Sequence, residues 1–329
     1  MKRRKFLELV GGAAAMAFWP LPTLAQQASK SYRIGYLALL PSERTTLAKV
    51  FLKRLHELGY SEDKNMKFDY RSAEGRADRV AELAAELVRA NPDVLVAGFG
   101  TVAAKAARAA TSRIPIVFTG VGDPVGAGLV ASLSRPSANV TGMSAQAAEL
   151  SAKRLQILND LVPGKKLFAV LGNPDTPYTA LALQEIRTAA AAKEQPFNVF
   201  EARAADQLPM AIDAVIRSGA ASLLVLEDPM LLGARQQFTA LVAKARLPAI
   251  YTLREFADAG GLICYGADES TIVHRAAEYV DKILKGSAPA DLPVEQPTKF
   301  ALVINLKAAK GLGIEIPPTL LAIADDVLE

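Results

Sequence analysis

Two glycines one residue apart, Gly98 and Gly100, close the apolar run VLVA at residues 94–97 and lead into TVAAKAA. Between a strand and a helix, this G-x-G-x-x-A spacing is that of a dinucleotide-binding turn. There the glycines let the backbone approach a pyrophosphate, and the helix start offers it free N–H groups. The context argues against a dinucleotide. Such a turn normally follows the first strand of its domain, and an acid at the end of the next strand, about 20 residues on, answers it. Here it follows the third apolar run. The next run, IPIVF, ends in Thr119, and Asp123 comes only after Gly120 and Gly122, in a loop with its own Pro124. No cofactor is expected. What survives is a turn that a guest can approach closely, and a helix opening at Thr101 that can receive an anion.

Other catalytic chemistry finds little support. His56 and His274 are the only histidines, each in an amphipathic stretch with no second ligand type at helical spacing, so no metal site is expected. Cys264, the single cysteine, sits in GLICYG and reads as a small buried hydrophobe. Neither a G-x-S-x-G elbow nor a G-x-x-x-x-G-K-[ST] loop occurs. Without an acid, base and nucleophile set, no enzyme is expected.

What recurs instead is a polar, Gly/Pro-rich turn after successive apolar runs: LLPSERT, GFGT and TGVGDPVGAG, then GNPDTPYT, EDPML and YTLREF. Open α/β sheets bind ligands at the carboxyl ends of their strands. The elements that position these turns alternate. Strands are predicted at RIGYLAL, MKFDYR, DVLVAG and IPIVFTG, with helices near 44–58, 77–90 and 102–110. The stretch SLSRPSANVTGMS, residues 132–144, lacks periodicity and is a candidate crossing between lobes. The alternation then restarts: a helix near 146–161, strand KLFAVLG, helix 176–192, strand FNVF, helix 206–217, strand SLLVLE, helix 230–245 and strand PAIY. GGLICYGADES returns the chain to the first lobe, where STIVHRAAEYVDKILKG supplies a helix, and the tail LVINLKAAKGLG crosses back. The expected fold class is α/β, two doubly wound parallel-sheet lobes. The N-terminal lobe takes residues 32–140 plus about 267–300, and the C-terminal lobe 141–266 plus about 301–329.

Residues 1–25 read as an export signal: Lys2, Arg3, Arg4 and Lys5 precede an apolar run that ends in Thr23-Leu24-Ala25. The paired arginines resemble a twin-arginine pattern, although Glu8 interrupts the apolar run. Removing four basic groups and one acidic group takes the formal charge from +4 to 4 − 3 = +1, so no nucleic-acid partner is expected. No cysteine follows the signal to carry a lipid. The expected product is periplasmic, not a lipoprotein, and monomeric.

Four stretches carry a family resemblance: IPIVFTGVGDPVGAGLVASLSRP, AKRLQILNDLVPG, LPAIYTLREFADAGGLICYGAD, and AAEYVDKILKGSAPADLPVEQPTKFALVINLKAAKGLGIEIPPTLLAIADDVLE. They resemble the ABC-transporter substrate-binding proteins of the group that takes up tryptophan and other aromatic amino acids. The resemblance implies a type I periplasmic-binding-protein-like fold with a three-crossing hinge, closing around a small solute and presenting it to an inner-membrane permease with its ATPase. It also implies a double glycine near residue 138, where this chain has Ser137-Ala138-Asn139, so a stiffer first crossing is expected.

Position at strand ends then assigns roles. Ser42, Gly100 and Thr101 are expected to donate hydrogen bonds to a ligand carboxylate. Asp123 would take an ammonium, its other role being to cap the turn before Pro124. Asn173, Thr176 and Tyr178 share one turn of the second lobe, and Asp228 ends strand SLLVLE. Tyr178 and Tyr251 would sandwich an apolar body, and Tyr265 belongs to the hinge. The expected solute is a small amphipathic carboxylate, such as an aromatic or large apolar amino acid. The alternatives are a ligand-sensing module for a membrane receptor and an exported enzyme on the same scaffold; a permease and ATPase encoded beside the gene would favour transport over sensing.

Overall fold

The computed structural model describes residues 30–39, 46–98, 100–136, 138–145 and 150–329. The segment 1–25 therefore lies outside the described residues, as does Ser42. All the elements below belong to one unit, Ser31–Glu329.

Short apolar runs form strands here because both faces of each sheet are covered, so the alternating pattern of a half-exposed strand is absent. The first lobe runs β1 (Tyr32–Ala38), α1 (Thr46–Glu57), β2 (Met66–Ser72), α2 (Val80–Arg89), β3 (Val94–Ala97), α3 (Thr101–Ala110), β4 (Ile116–Val121) and β5 (Val140–Ser144). Its sheet is parallel, in the order β2-β1-β3-β4-β5. Every residue of β3, β4 and β5 is buried. The helices present one apolar stripe each; α2 turns Val80, Leu83, Ala84 and Leu87 inward.

The chain continues through α4 (Leu150–Leu161), β6 (Phe168–Gly172), α5 (Pro177–Ala192), β7 (Phe197–Glu201), α6 (Leu208–Arg217), β8 (Ser222–Val225), α7 (Pro229–Gly233), α8 (Arg235–Lys244), β9 (Ala249–Tyr251), α9 (Arg254–Asp258) and β10 (Ile263–Ala267). It then crosses to α10 (Glu269–Leu284), which packs on α1, β4 and β5, and returns as β11 (Phe300–Asn305), α11 (Leu306–Leu312), α12 (Pro318–Ala322) and β12 (Asp326–Leu328). The second sheet is ordered β12-β11-β10-β9-β8-β6-β7, and β10 and β11 pair antiparallel. The chain passes between the two sheets after β5, between β10 and α10, and between α10 and β11.

The expected crossing at 132–144 is displaced. Residues 140–144 are β5, paired with β4 from Ile116↔Val140 to Val121↔Ser144, so 141–144 belong to the first lobe rather than the second. Its Ser, Thr and Gly composition concealed a strand for two reasons. Thr141 Oγ1 satisfies its burial by donating to the Leu292 carbonyl at 2.7 Å. Gly142, at φ 153°, lies so close to Phe118 that no Cβ fits. Glu295 N donates to the Gly142 carbonyl at 3.1 Å, and Ser144 N donates to the Glu295 carbonyl at 2.8 Å, so the returning chain runs beside β5. Ala138 precedes β5 and is not in a crossing. It adopts φ 44°, a left-handed conformation that a glycine would take without strain. The helix expected over 230–245 is two helices, α7 and α8, parted at Ala234.

Tertiary ties hold α10 to the first lobe. Tyr60 Oη donates to Asp281 Oδ1 at 2.8 Å. Arg275 donates from Nε to Glu295 Oε2 at 2.9 Å and from Nη2 to Oε1 at 2.5 Å, a bidentate pair that fixes the returning strand to the helix.

Candidate functional site

Strand ends from both lobes meet. On the first lobe, β3 ends in Gly98 and Gly100, and each glycine has a local cause. A Cβ at 98 would lie 2.8 Å from Tyr36 Cε1, and Gly100 sits at φ 100° as the residue before α3. Across from them, Pro229 Cγ lies 3.5 Å from where a Cβ on Gly100 would be, and the Tyr178 ring lies 2.8 Å from the same point on Gly122. Gly100, Thr101, Gly122, Thr176, Tyr178 and Glu227 thus line a shared gap of only about 10 Å³, at most the space of one water. The lobes are shut here.

Of the expected residues, Gly100, Thr101, Thr176 and Tyr178 line that gap, and Asn173 and Asp228 adjoin Thr176. Thr176 Oγ1 donates to Asp228 Oδ2, and Leu231 N donates to Asp228 Oδ1 at 3.0 Å, which caps α7. Asn173 Oδ1 accepts from Asp175 N at 3.0 Å, and its backbone carbonyl accepts from Thr179 Oγ1 at 2.6 Å. Burial raises the Asp228 pKa against the opposing effect of its hydrogen bonds. Tyr178 is 3% exposed, with Ser151 and Arg154 in hydrogen-bonding reach of its hydroxyl.

Asp123 Oδ1 accepts from Val125 N at 3.1 Å and Gly126 N at 2.8 Å, the turn-capping role that was its other reading. One expectation is corrected. Tyr251 does not face Tyr178: it stacks on Phe256 at 4.9 Å and 14° and meets Phe238 edge-on at 6.1 Å, inside the second lobe. An aromatic at the end of a short strand was captured by the helix packed against it. Tyr265 offers its carbonyl to Arg154 Nε at 2.7 Å, and its ring tilts against Phe300, which ties β10 to β11 beside the second and third crossings.

Next to the shut gap lies a larger cavity of about 520 Å³, within the range of small-molecule sites. Leu47, Asp268, Glu269 and Ser270 line it from α1 and the second crossing, and Leu232, Arg235, Thr252, Glu255 and Gly266 line it from the second lobe. Two of its polar groups are buried without partners among the described residues: Thr252 Oγ1, and both carboxylate oxygens of Glu269. Leaving such groups unmatched is costly, so they point to a guest. Burial pushes the Glu269 pKa well up, and the neighbouring carboxylates Glu227, Glu255 and Asp268 push it further. Burial likewise raises Glu227 to about 7, with the Arg154 guanidinium opposing and Asp228 adding to the rise. The Tyr36 phenol, raised by burial, is near enough to Tyr70, Thr119 and Glu269 to feel each of them. The Cys264 thiol is also held up by burial, hence inert.

Glu227, Glu269, Thr252 and Arg154 were not singled out from the sequence. Glu227 stood beside Asp228 in EDPML, and Glu269 beside the helix cap Asp268 in ADES. Position at a strand end flagged EDPML, while ADES was read only as part of the return to the first lobe, and nothing in their spacing said which acid turns inward. Among the described residues, no group of three or more His, Cys, Asp or Glu side chains is arranged to hold a metal ion. No helix among them is long and apolar enough to cross a membrane.

A family model described as ABC transporter substrate binding protein matches residues 42–328. A tyrosine-binding protein of Clostridioides difficile is 28% identical over 290 residues, 87% of this chain and 82% of that protein. The crystal structure of a conserved domain protein from Vibrio cholerae is 30% identical with a TM-score of 0.85, covering 91% of this chain and all of that one. An ABC domain from Streptococcus pneumoniae in complex with L-Trp is 25% identical with a TM-score of 0.84, over 91% of this chain and all of its own. The two lobes are of the type I periplasmic binding protein kind.

Proposed function

The chain belongs to the family of ABC transporter substrate-binding proteins, and we propose that it captures a small amphipathic carboxylate, an aromatic or large apolar amino acid, between its lobes. It works in the periplasm as a monomer that delivers this solute to a membrane permease and its ATPase, with no chemistry of its own. The observation that carries the reading is the convergence of strand-end residues from both lobes: Gly100, Thr101 and Gly122 meet Thr176, Tyr178 and Glu227. Contacts drawn from two lobes are complete only when the lobes close, so a ligand that bridges them shifts the population toward the closed form.

Several features support each part of the role. α3 opens at Thr101, where free N–H groups and the helix dipole favour a carboxylate by about 1–2 kcal/mol. The cavity beside it accommodates a body of amino-acid size. Tyr265 sits where flexing between β10 and α10 would open the cleft. The tyrosine and tryptophan named for two relatives agree with this solute class.

Titration calorimetry of the purified protein against aromatic and aliphatic amino acids, their keto acids and simple sugars tests it. We expect at least one aromatic or large apolar amino acid to bind at micromolar Kd or tighter, about −8 kcal/mol. Binding confined to sugars or metal complexes would overturn the ligand class.

A further inference from the structure

We propose that Glu269, with Glu227 across the lobe junction, is the seat of a ligand ammonium group, so that this pocket selects solutes carrying a protonated amine. This rests on the amino-acid reading above and adds to it the group that recognises the amine. The first observation is geometric. Glu269 is 7% exposed, lines the 520 Å³ cavity, and has no hydrogen-bond partner among the described residues for either carboxylate oxygen. A carboxylate accepts up to about four hydrogen bonds, and an ammonium donates three.

The second observation is the sign of the surroundings. The groups that bear on the Glu269 charge are Glu227, Glu255 and Asp268, all acids. Among the described residues, the nearby cations are engaged elsewhere. Arg154 donates to the Tyr265 carbonyl and acts on Glu227, Arg235 donates to the Leu232 carbonyl at 3.1 Å, and Arg254 pairs with Asp326 at 2.6 Å. Asp268 is occupied in capping α10, with Ser270 N at 3.0 Å. A buried charge without a counter-ion takes up a proton instead of staying ionised. Without a bound cation the Glu227 and Glu269 pair therefore holds a proton, and an arriving ammonium displaces it.

Proton release makes the inference measurable without any substitution. Calorimetry with L-tyrosine and L-tryptophan at pH 7, in two buffers of different ionisation enthalpy, should show up to about one proton released per ligand bound. Glu269→Gln keeps the shape, removes the charge, and should weaken amino-acid binding about 10-fold or more while abolishing that release. Affinity for the deaminated acid, 3-(4-hydroxyphenyl)propionate, should change less than about 2-fold. Glu269→Asp should recover part of the loss. If Glu269→Gln binds the amino acids as tightly as the parent with the same proton release, the inference is wrong while the amino-acid reading stands. If the parent binds tyramine or tryptamine but no amino acid, and Glu269→Gln abolishes that, the amino-acid reading falls and the ammonium seat stands. A parent that binds no amine-bearing compound overturns both.

Discussion

At position 122 a single methyl group tests lobe closure. An alanine Cβ there would sit 2.8 Å from Tyr178 Cδ2, closer than real Cβ contacts come, and the ring is buried and cannot step aside cheaply. Gly122→Ala should hold the lobes apart and weaken ligand binding about 10-fold or more, with the melting temperature changed by only a few degrees. Small-angle scattering with ligand present should show a radius of gyration that stays large. Thr101→Leu makes a complementary test. Thr101 is 3% exposed and opens α3, so the larger side chain should abolish binding by filling the carboxylate position. Unchanged affinity in both variants would mean the ligand enters elsewhere. Asp123→Asn, by contrast, should leave amino-acid affinity near that of the parent, because an amide oxygen can still accept from Val125 N and Gly126 N.

Among the elements, β9 and α9 supply packing where the sequence suggested a binding surface. Tyr251 is 1% exposed, and its stack on Phe256 and edge contact with Phe238 join β9, α9 and α8. Tyr251→Ala should therefore cost about 3–5 kcal/mol in urea unfolding, the range for removing a buried aromatic, and leave affinity unchanged in whatever fraction is folded. α10 does the opposite service: its body is anchored to the first lobe through Asp281 and Arg275, while its first residue, Glu269, faces the second. The helix dipole favours an ionised carboxylate at that end, and burial among three acids outweighs it.

For the whole molecule, closure and protonation are linked. Burial raises Glu227 to about 7 and raises Glu269 above its ordinary range, so the closed, ligand-free form binds more protons than an open form with solvated carboxylates. The sign follows: the cost of closing is absent below the ordinary carboxylate pKa of about 4.3, grows as pH rises, and is complete above about 7 for Glu227. Ligand-free protein should therefore have a smaller radius of gyration at pH 5 than at pH 8. Glu227→Gln should reduce that difference and leave the part due to Glu269. No dependence on pH in the parent would show that the lobes close without burying these carboxylates.

Composition and periodicity were enough to lay out most of the secondary structure, because burial of a strand or of a helix face depends on neighbours three or four residues away. The runs at 94–97 and 222–225 and the stripe of α2 were legible on that ground. β5 was not, since Thr141 and Gly142 suit a strand only through the Leu292 carbonyl and Phe118, contacts that no local pattern encodes. The turns that form the site were legible too, at strand ends. Which side chain in each turn looks inward depended on how the lobes meet. Asp123 had partners within three residues and used them, Tyr251 found Phe256 five residues on, and Glu269 was left facing the cavity once α10 was fixed to the first lobe. Local energies select a turn, but an unmatched charge is defined only by everything brought around it.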